Sequence, residues 1–430
     1  MDRLAPEIIS NIIKHVVPDD YFSAGRLFKE HTPIRCLSHL AVLCRRWQPL
    51  IEEVSFRELT LNSESVLYAI ENSILTPTRL SYLRRLDYTF PPSDDAHPPT
   101  TRAEIDAGFL PLLQLLAQIP LQEEPVVDFN VMIYWPPSGP SYLSKLDDHV
   151  EDNFEEVDPL PEVPMIRSFY LARGYDRFFY SPRSFCLIAG TMSRLRSLNL
   201  GLTSQRGPER VLKERNELAQ SLNDLPSSIH QFDLHYYVNP SLLQDAISLA
   251  PTEEDILSRE LCKFSQREGL KDFSFGGSIE PTIFWPPESD TAEEPHWPSL
   301  KAFELTPSDR SPLGKQLVVR NVWRSKWTPM YPVDDVANEY YAAAARCVSR
   351  MPKVEYLSIE LKDSWSTTLV FCTGYPNHPD EPILRLSGGG GAKISEETEK
   401  EWRKTAEIHN LKFSMEVDEE EVKDVMNLGP

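Results

Sequence analysis

The stretch Ser387-Gly388-Gly389-Gly390-Gly391-Ala392-Lys393 comes nearest to a chemical motif, because glycine amides followed by a lysine can cradle a phosphate. It lacks the spacing of a P-loop and the Lys-Ser/Thr pair, so it reads as a flexible turn before a helix capped by Ser395. No GxSxG elbow offers a nucleophilic serine, and no HExxH helix offers a zinc pair. The 10 histidines do not cluster at ligand spacing. The six cysteines, at 36, 44, 186, 262, 347 and 372, include no CxxC pair. They read as unpaired thiols of a reducing compartment rather than a zinc site. Carboxylate pairs are abundant, but among 65 Asp+Glu their chance frequency is too high to select any. No catalytic centre, cofactor or metal is expected.

Charge is the next resource for chemistry. The formal net charge of −21 lies outside residues 1–60, which hold 8 Lys+Arg against 8 Asp+Glu. Such a surface repels nucleic-acid phosphates, so no nucleic-acid partner is expected. One window runs the other way: residues 167–215 hold 10 Lys+Arg and 3 Asp+Glu. Solvated loops and helix faces explain it most simply. The functional alternative is a basic patch, with Arg167, Arg173, Arg177, Arg183, Arg194 and Arg196, that steers an acidic or phosphorylated target.

These side chains need elements to hold them. Short apolar runs recur at 80–88, 126–131, 195–200, 229–234, 270–275, 300–305, 354–359 and 411–415, mostly as apolar-x-x-apolar-x-apolar. Helical patterns lie between many of them, at 105–119, 182–192, 209–222, 333–351 and 395–409. Strand then helix then parallel strand is a solenoid unit, and the run pattern is that of a leucine-rich-repeat strand. An irregular leucine-rich-repeat-like α/β solenoid over residues 61–430 is therefore expected, against the competing expectation of an ordinary parallel α/β sheet. The long connections are proline-rich, as at 91–99, 135–137, 155–164 and 285–298, and cannot continue helices or central strands. The acidic segments 147–162 and 416–424 read as mobile or solvated.

Residues 1–60 form a separate helical module. Pro6 suits the first turn of a helix, and Ile8, Ile9, Ile12, Ile13 and Val16 then form one stripe. Thr32-Pro33 opens a second helix with Ile34, Leu37, Leu40, Ala41 and Cys44 on one face. Pro49 opens a third carrying Leu50, Ile51 and Val54. Three short helices cannot close a large core, and Leu40, Val42, Leu43, Cys44 and Trp47 cover more than one face. Part of that apolar surface is expected to meet a partner.

The start Leu4-Ala5-Pro6-Glu7-Ile8-Ile9, the end Leu43-Cys44-Arg45-Arg46-Trp47 and the trailing Leu50-Ile51 together resemble an F-box, the module that docks on a Skp-type adaptor of cullin-based ubiquitin ligases. Ala5 between leucine and proline departs from the family pattern, as does the long segment from Pro18 to Thr32. The segments Trp285-Pro286-Pro287 and His296-Trp297-Pro298 further resemble fungal F-box proteins. The resemblance implies a non-catalytic substrate receptor with Leu4, Pro6, Glu7, Ile8, Ile12, Leu40, Leu43, Cys44 and Trp47 at the adaptor face or packed behind it, and Arg45 and Arg46 on its rim. Its partners would be the adaptor, a cullin through it, and a protein target. One rival is a binding scaffold outside any ligase, with the first helices as a cap. Another is an enzyme, which requires a deep pocket with converging polar groups. No apolar run is long enough for a membrane span and no secretory signal is read, so cytoplasm or nucleus is expected.

Overall fold

The computed structural model describes residues 8, 45, 47–90, 102–133, 160–171, 182–204, 208–238, 254–286, 294–320, 330–361, 367–373, 383–387, 393–410 and 415–418. The chain divides into two compact units, residues 1–140 with 159–169, and residues 141–158 with 170–430. The expected module boundary at 60/61 falls inside the first strand, Glu58–Leu61, in the first unit.

In the first unit, α1 (Gln48–Ser55) precedes β1 (Glu58–Leu61), α2 (Ser63–Glu71), α3 (Pro77–Ser81), β2 (Arg85–Phe90), α4 (Arg102–Leu116), β3 (Val127–Ile133) and all but the last two residues of β4 (Ile166–Leu171). The strands lie in that order, and β1-β2 and β2-β3 are parallel. Asn62 caps α2, accepting from the Ser65 amide at 2.8 Å. Arg79 of α3 ties back to α1, donating to Glu52 at 2.7 Å and lying 5.0 Å from the Phe56 ring centroid. Phe109 of α4 stacks on Phe129 of β3, which stacks on Phe169 of β4.

The second unit runs α5 (Pro182–Gly190), β5 (Ser197–Ser204), α6 (Pro208–Ser221), β6 (Gln231–Val238), α7 (Ile256–Ser265), β7 (Asp272–Gly277), β8 (Ala302–Pro307), a hairpin of β9 (Val318–Arg320) and β10 (Met330–Pro332), α8 (Asp334–Ser349), β11 (Tyr356–Leu361), β12 (Thr367–Cys372), β13 (Ile383–Ser387), α9 (Glu396–Ile408) and β14 (Met415–Asp418). Its main sheet has the order β5-β6-β7-β8-β11-β12-β13-β14. It is parallel from β5 to β11, antiparallel through β12 and β13, and parallel again at β14.

The expected leucine-rich-repeat-like solenoid is thus corrected: the chain forms an α/β fold built on a mainly parallel sheet, the competing expectation. Connections between the earlier strands are long enough for crossover helices. Only residues 362–366 separate β11 from β12, and 373–382 separate β12 from β13. A parallel return needs a dozen residues or more, so these strands turn back antiparallel and the strand-helix period breaks.

Side chains alternate sharply. On β6, Phe232, Leu234, Tyr236 and Val238 are buried while Gln231, Asp233, His235 and Tyr237 face the other way. The buried set meets the helices: the Phe232 ring centroid lies 4.5 Å from that of Phe264 on α7, and Phe371 of β12 stacks on Trp402 of α9. Parallel strands covered on both faces read as continuous apolar runs. These strands read as alternating, so one sheet face is built for water or for a partner. Strand order follows chain order among the described strands of each unit. Neither order reverses to create the switch-point crevice where open parallel sheets hold nucleotides.

Candidate functional site

The outward residues of β5 to β11 are Ser197, Asn199, Gly201 and Thr203; Gln231, Asp233, His235 and Tyr237; Asp272, Ser274 and Gly276; Ala302, Glu304 and Thr306; and Tyr356, Ser358 and Glu360. Register fixes their rows: Asn199, Asp233, Ser274, Glu304 and Ser358 stand in one line across five strands. Four carboxylates share this face, and none of its outward positions is Lys or Arg.

Asn199 donates from Nδ2 to Asp233 Oδ2 at 2.5 Å. His235 Nε2 lies 3.2 Å from Asp233 Oδ1, close enough to pair electrostatically but not aimed as a hydrogen bond. The imidazole and the Tyr237 phenol stack with centroids 5.8 Å apart and planes at 6°, and Tyr237 Oη sits 3.3 Å from His235 Nδ1. This arrangement requires glycine at 276, because a Cβ there would meet His235 Nδ1 at 2.3 Å. Gly277 is required for a different reason: its φ is +145° and a Cβ would meet the Tyr236 carbonyl oxygen at 2.1 Å. Gln231 donates to Asp272 at 3.0 Å. The Glu304 carboxyl is held above its ordinary pKa, first by partial desolvation against the sheet and then by Asp233, Asp272 and Glu360.

A second polar cluster lies inside the same unit, at the C-terminal ends of β6 and β7. Arg215 of α6 donates to Asp255 from Nη2 at 2.7 Å and Nε at 3.2 Å, and from Nη1 to the Ser278 carbonyl at 2.9 Å. Asp255 also caps α7, accepting from the Ser258 amide at 3.1 Å and from the Ser258 hydroxyl. That hydroxyl accepts from the Glu280 amide at 3.0 Å, and Glu280 accepts from the Leu313 amide at 2.8 Å. Tyr236 donates to Glu214 at 3.3 Å, and Tyr340 donates to the Ile279 carbonyl. Burial raises the pKa of Glu280 and pushes that of Tyr340 well up. Perturbed groups of this kind mark active sites when they line a cleft. Here Arg215, Asp255, Glu280 and Tyr340 are all buried and spend their polar atoms on one another and on backbone, which makes the cluster a structural pin.

The sequence-derived candidates fall as follows. Leu4, Pro6, Glu7, Ile12, Leu40, Leu43 and Cys44 lie outside the described residues, as does Arg46. Ile8 is helical and 48% exposed. Trp47 is only 4% exposed, and its carbonyl accepts the Ile51 amide at 3.0 Å, so it packs within the chain. Arg45 is exposed. In the basic window, Arg167 is bidentate to Asp128 at 3.0 and 2.5 Å. Arg173 and Arg177 lie outside the described residues, and Arg183, Arg194 and Arg196 are half-buried.

Among the cysteines, Cys186, Cys262 and Cys347 are buried in the core. Burial pushes the Cys186 and Cys262 thiols up to about 12 and Cys347 well above its ordinary value, which keeps them unreactive. Of the glycine-rich stretch, 388–392 lie outside the described residues. Its end is fastened to α8: Asn338 donates to the Lys393 carbonyl at 2.8 Å and accepts from the Ser395 amide at 2.8 Å. Glu396, Glu397 and Glu399 fill the first turn of α9 and would repel a phosphate there. Trp297 is core, donating to Ser265 at 2.8 Å, and Trp285 lies beside it with ring centroids 6.5 Å apart.

No group of His, Cys, Asp or Glu among the described residues is arranged to hold a metal ion. No described helix is long and apolar enough to cross a membrane. Sequence reasoning found the β6 run but missed its outward Asp233-His235-Tyr237 column; the signal was available in the alternation Phe232-Leu234-Tyr236-Val238. No protein-family model matches the chain, and comparison with curated proteins finds no relative.

Proposed function

We propose that the chain is a non-catalytic binding subunit that holds a protein target on the open face of the β5–β11 sheet. The carrying observation is that face itself: a parallel sheet that leaves one side polar, in register and uncovered among the described residues, where parallel sheets ordinarily bury both. The specific form we favour is a substrate receptor of a Skp-cullin-F-box ubiquitin ligase. The Pro6-Glu7-Ile8 start and the Leu43-Cys44-Arg45-Arg46-Trp47 end support it, and Ile8 offers an apolar side chain to solvent. In that form Trp47 shapes the module from inside, and ubiquitin transfer would gain from proximity rather than from chemistry in this chain.

A free-standing scaffold is the second reading, and the burial of Trp47 favours it, because a tryptophan committed to its own chain is not an anchor for an adaptor. Co-purification with a Skp-type adaptor separates the two. The ligase reading expects a stoichiometric complex that an Ile8→Asp/Leu43→Ala variant loses while its thermal unfolding matches wild type. A folded wild-type chain that captures no adaptor leaves the scaffold.

A further inference from the structure

We infer that the open face of the β5–β11 sheet docks an extended, arginine-rich segment of its protein partner. The inference rests on the proposed binding role of that face and names the chemistry of what binds there. Three features of the face point the same way. First, the sign is uniform: Asp233, Asp272, Glu304 and Glu360 are outward, with no outward Lys or Arg on these five strands to neutralise them. Among the described residues Asp233 meets Asn199 and the imidazole, and Asp272 meets Gln231 and the field of the Lys301 ammonium, which is itself held by Glu355, so neither acid has a fixed cation in salt-bridge contact.

Second, the face carries a pair of parallel rings. His235 lies down on Gly276 with Tyr237 parallel to it. A guanidinium stacks on such a surface while its N–H fork pairs with carboxylates, which a lysine ammonium cannot do equally well. Third, spacing favours an extended chain crossing the strands. Asp233 and Glu304 are in register two strands apart, about 10 Å at the usual inter-strand distance. Alternate side chains of an extended segment lie about 7 Å apart, within the reach that flexible arginine stems can adjust. The neutral outward residue between the acids, Ser274, leaves room and hydrogen-bonding capacity for peptide backbone.

This differs from the functional alternative offered by the sequence, an acidic or phosphorylated target steered by Arg167 and its neighbours. Arg167 is already bidentate to Asp128, whereas among the described residues Asp233 and Asp272 are held by amides and not by a guanidinium.

The test uses the full chain and a fluorescein-labelled oligo-arginine peptide, read by anisotropy against oligo-lysine and oligo-glutamate controls. Wild type is expected to bind oligo-arginine several-fold tighter than oligo-lysine, with no detectable oligo-glutamate binding and weakening as salt rises. Asp233→Asn/Glu304→Gln/Glu360→Gln is expected to lose about tenfold or more in affinity. A control, Glu64→Gln/Glu71→Gln/Glu396→Gln, removes the same charge elsewhere and is expected to stay within about twofold of wild type. Equal losses in both triple variants would show attraction to net charge alone and overturn the inference. So would absence of binding by the folded wild type, or no preference for arginine. Adaptor co-purification does not depend on this face, so failure here and failure of the ligase reading are separately visible.

Discussion

Asp255 and Asp233 are residues of one type in one folding unit, and the two regions around them use it in opposite ways. Asp255 is enclosed by two guanidinium nitrogens and by the amide and hydroxyl of Ser258, all buried. Its charge is wholly committed to joining α6, α7 and the end of β7. Asp233 stands on an open sheet beside an amide and an imidazole, with Asp272, Glu304 and Glu360 as further carboxylates of the face. A carboxylate saturated with donors is a fastening. A set of carboxylates left to repel one another is a surface awaiting a cation.

The largest expected effect is on the fastening. Arg215→Ala leaves Asp255 buried without its cation and should destabilise the fold by about 3–5 kcal/mol in urea denaturation. A loss near zero would mean the enclosure is not what the comparison requires. Gly277→Ala comes next: with φ at +145° and a backbone oxygen 2.1 Å from the new Cβ, roughly 2 kcal/mol or more should be lost.

Gly276→Ala is milder, since the obstructing atom belongs to the His235 side chain, which can lift. It should cost about 1 kcal/mol and remove the His235–Tyr237 stack, weakening oligo-arginine binding while oligo-lysine binding changes little. Unchanged selectivity would separate the ring pair from recognition.

The smallest effect is on Glu304, and it carries a sign. Its folded pKa is raised, so the native state holds this proton more tightly than the unfolded chain. The corresponding stability is therefore present at low pH and lost as pH rises through the raised value. Glu304→Gln should then be slightly more stable than wild type at neutral pH, by a few tenths of a kcal/mol because solvent screens the exposed carboxylate. The advantage should fade below the ordinary value of 4.5 in denaturation followed across pH. An advantage that persisted in acid would contradict the repulsion assigned to the face.

Much of the architecture was legible in the sequence. The runs at 126–131, 195–200, 229–234, 270–275, 300–305 and 354–359 coincide with or overlap β3, β5, β6, β7, β8 and β11, because one buried face gives a strict alternation. The helices at 182–192, 209–222 and 333–351 likewise match α5, α6 and α8. What failed was their extrapolation to a solenoid: a count of similar strands says nothing about the short links that reverse β12 and β13.

The site was less legible. Polar outward residues look alike in sequence whether they meet water, a salt bridge or a partner. Only register showed that Asp233, Ser274 and Glu304 form one row and that Gly276 exists to seat an imidazole. The buried pair was invisible for the same reason, with Arg215 and Asp255 forty residues apart, one inside a charged helical pattern and the other capping a helix that the pattern did not reveal.

The most direct test places a photo-crosslinking side chain at Ser274, outward between Asp233 and Glu304, and at Glu64 of the other unit as a control. With labelled oligo-arginine peptide, the open-face account predicts a crosslink at Ser274 that salt suppresses and that Asp233→Asn/Glu304→Gln abolishes, with none at Glu64. Equal labelling at both positions, or none at Ser274 under conditions where the peptide is bound, would contradict it.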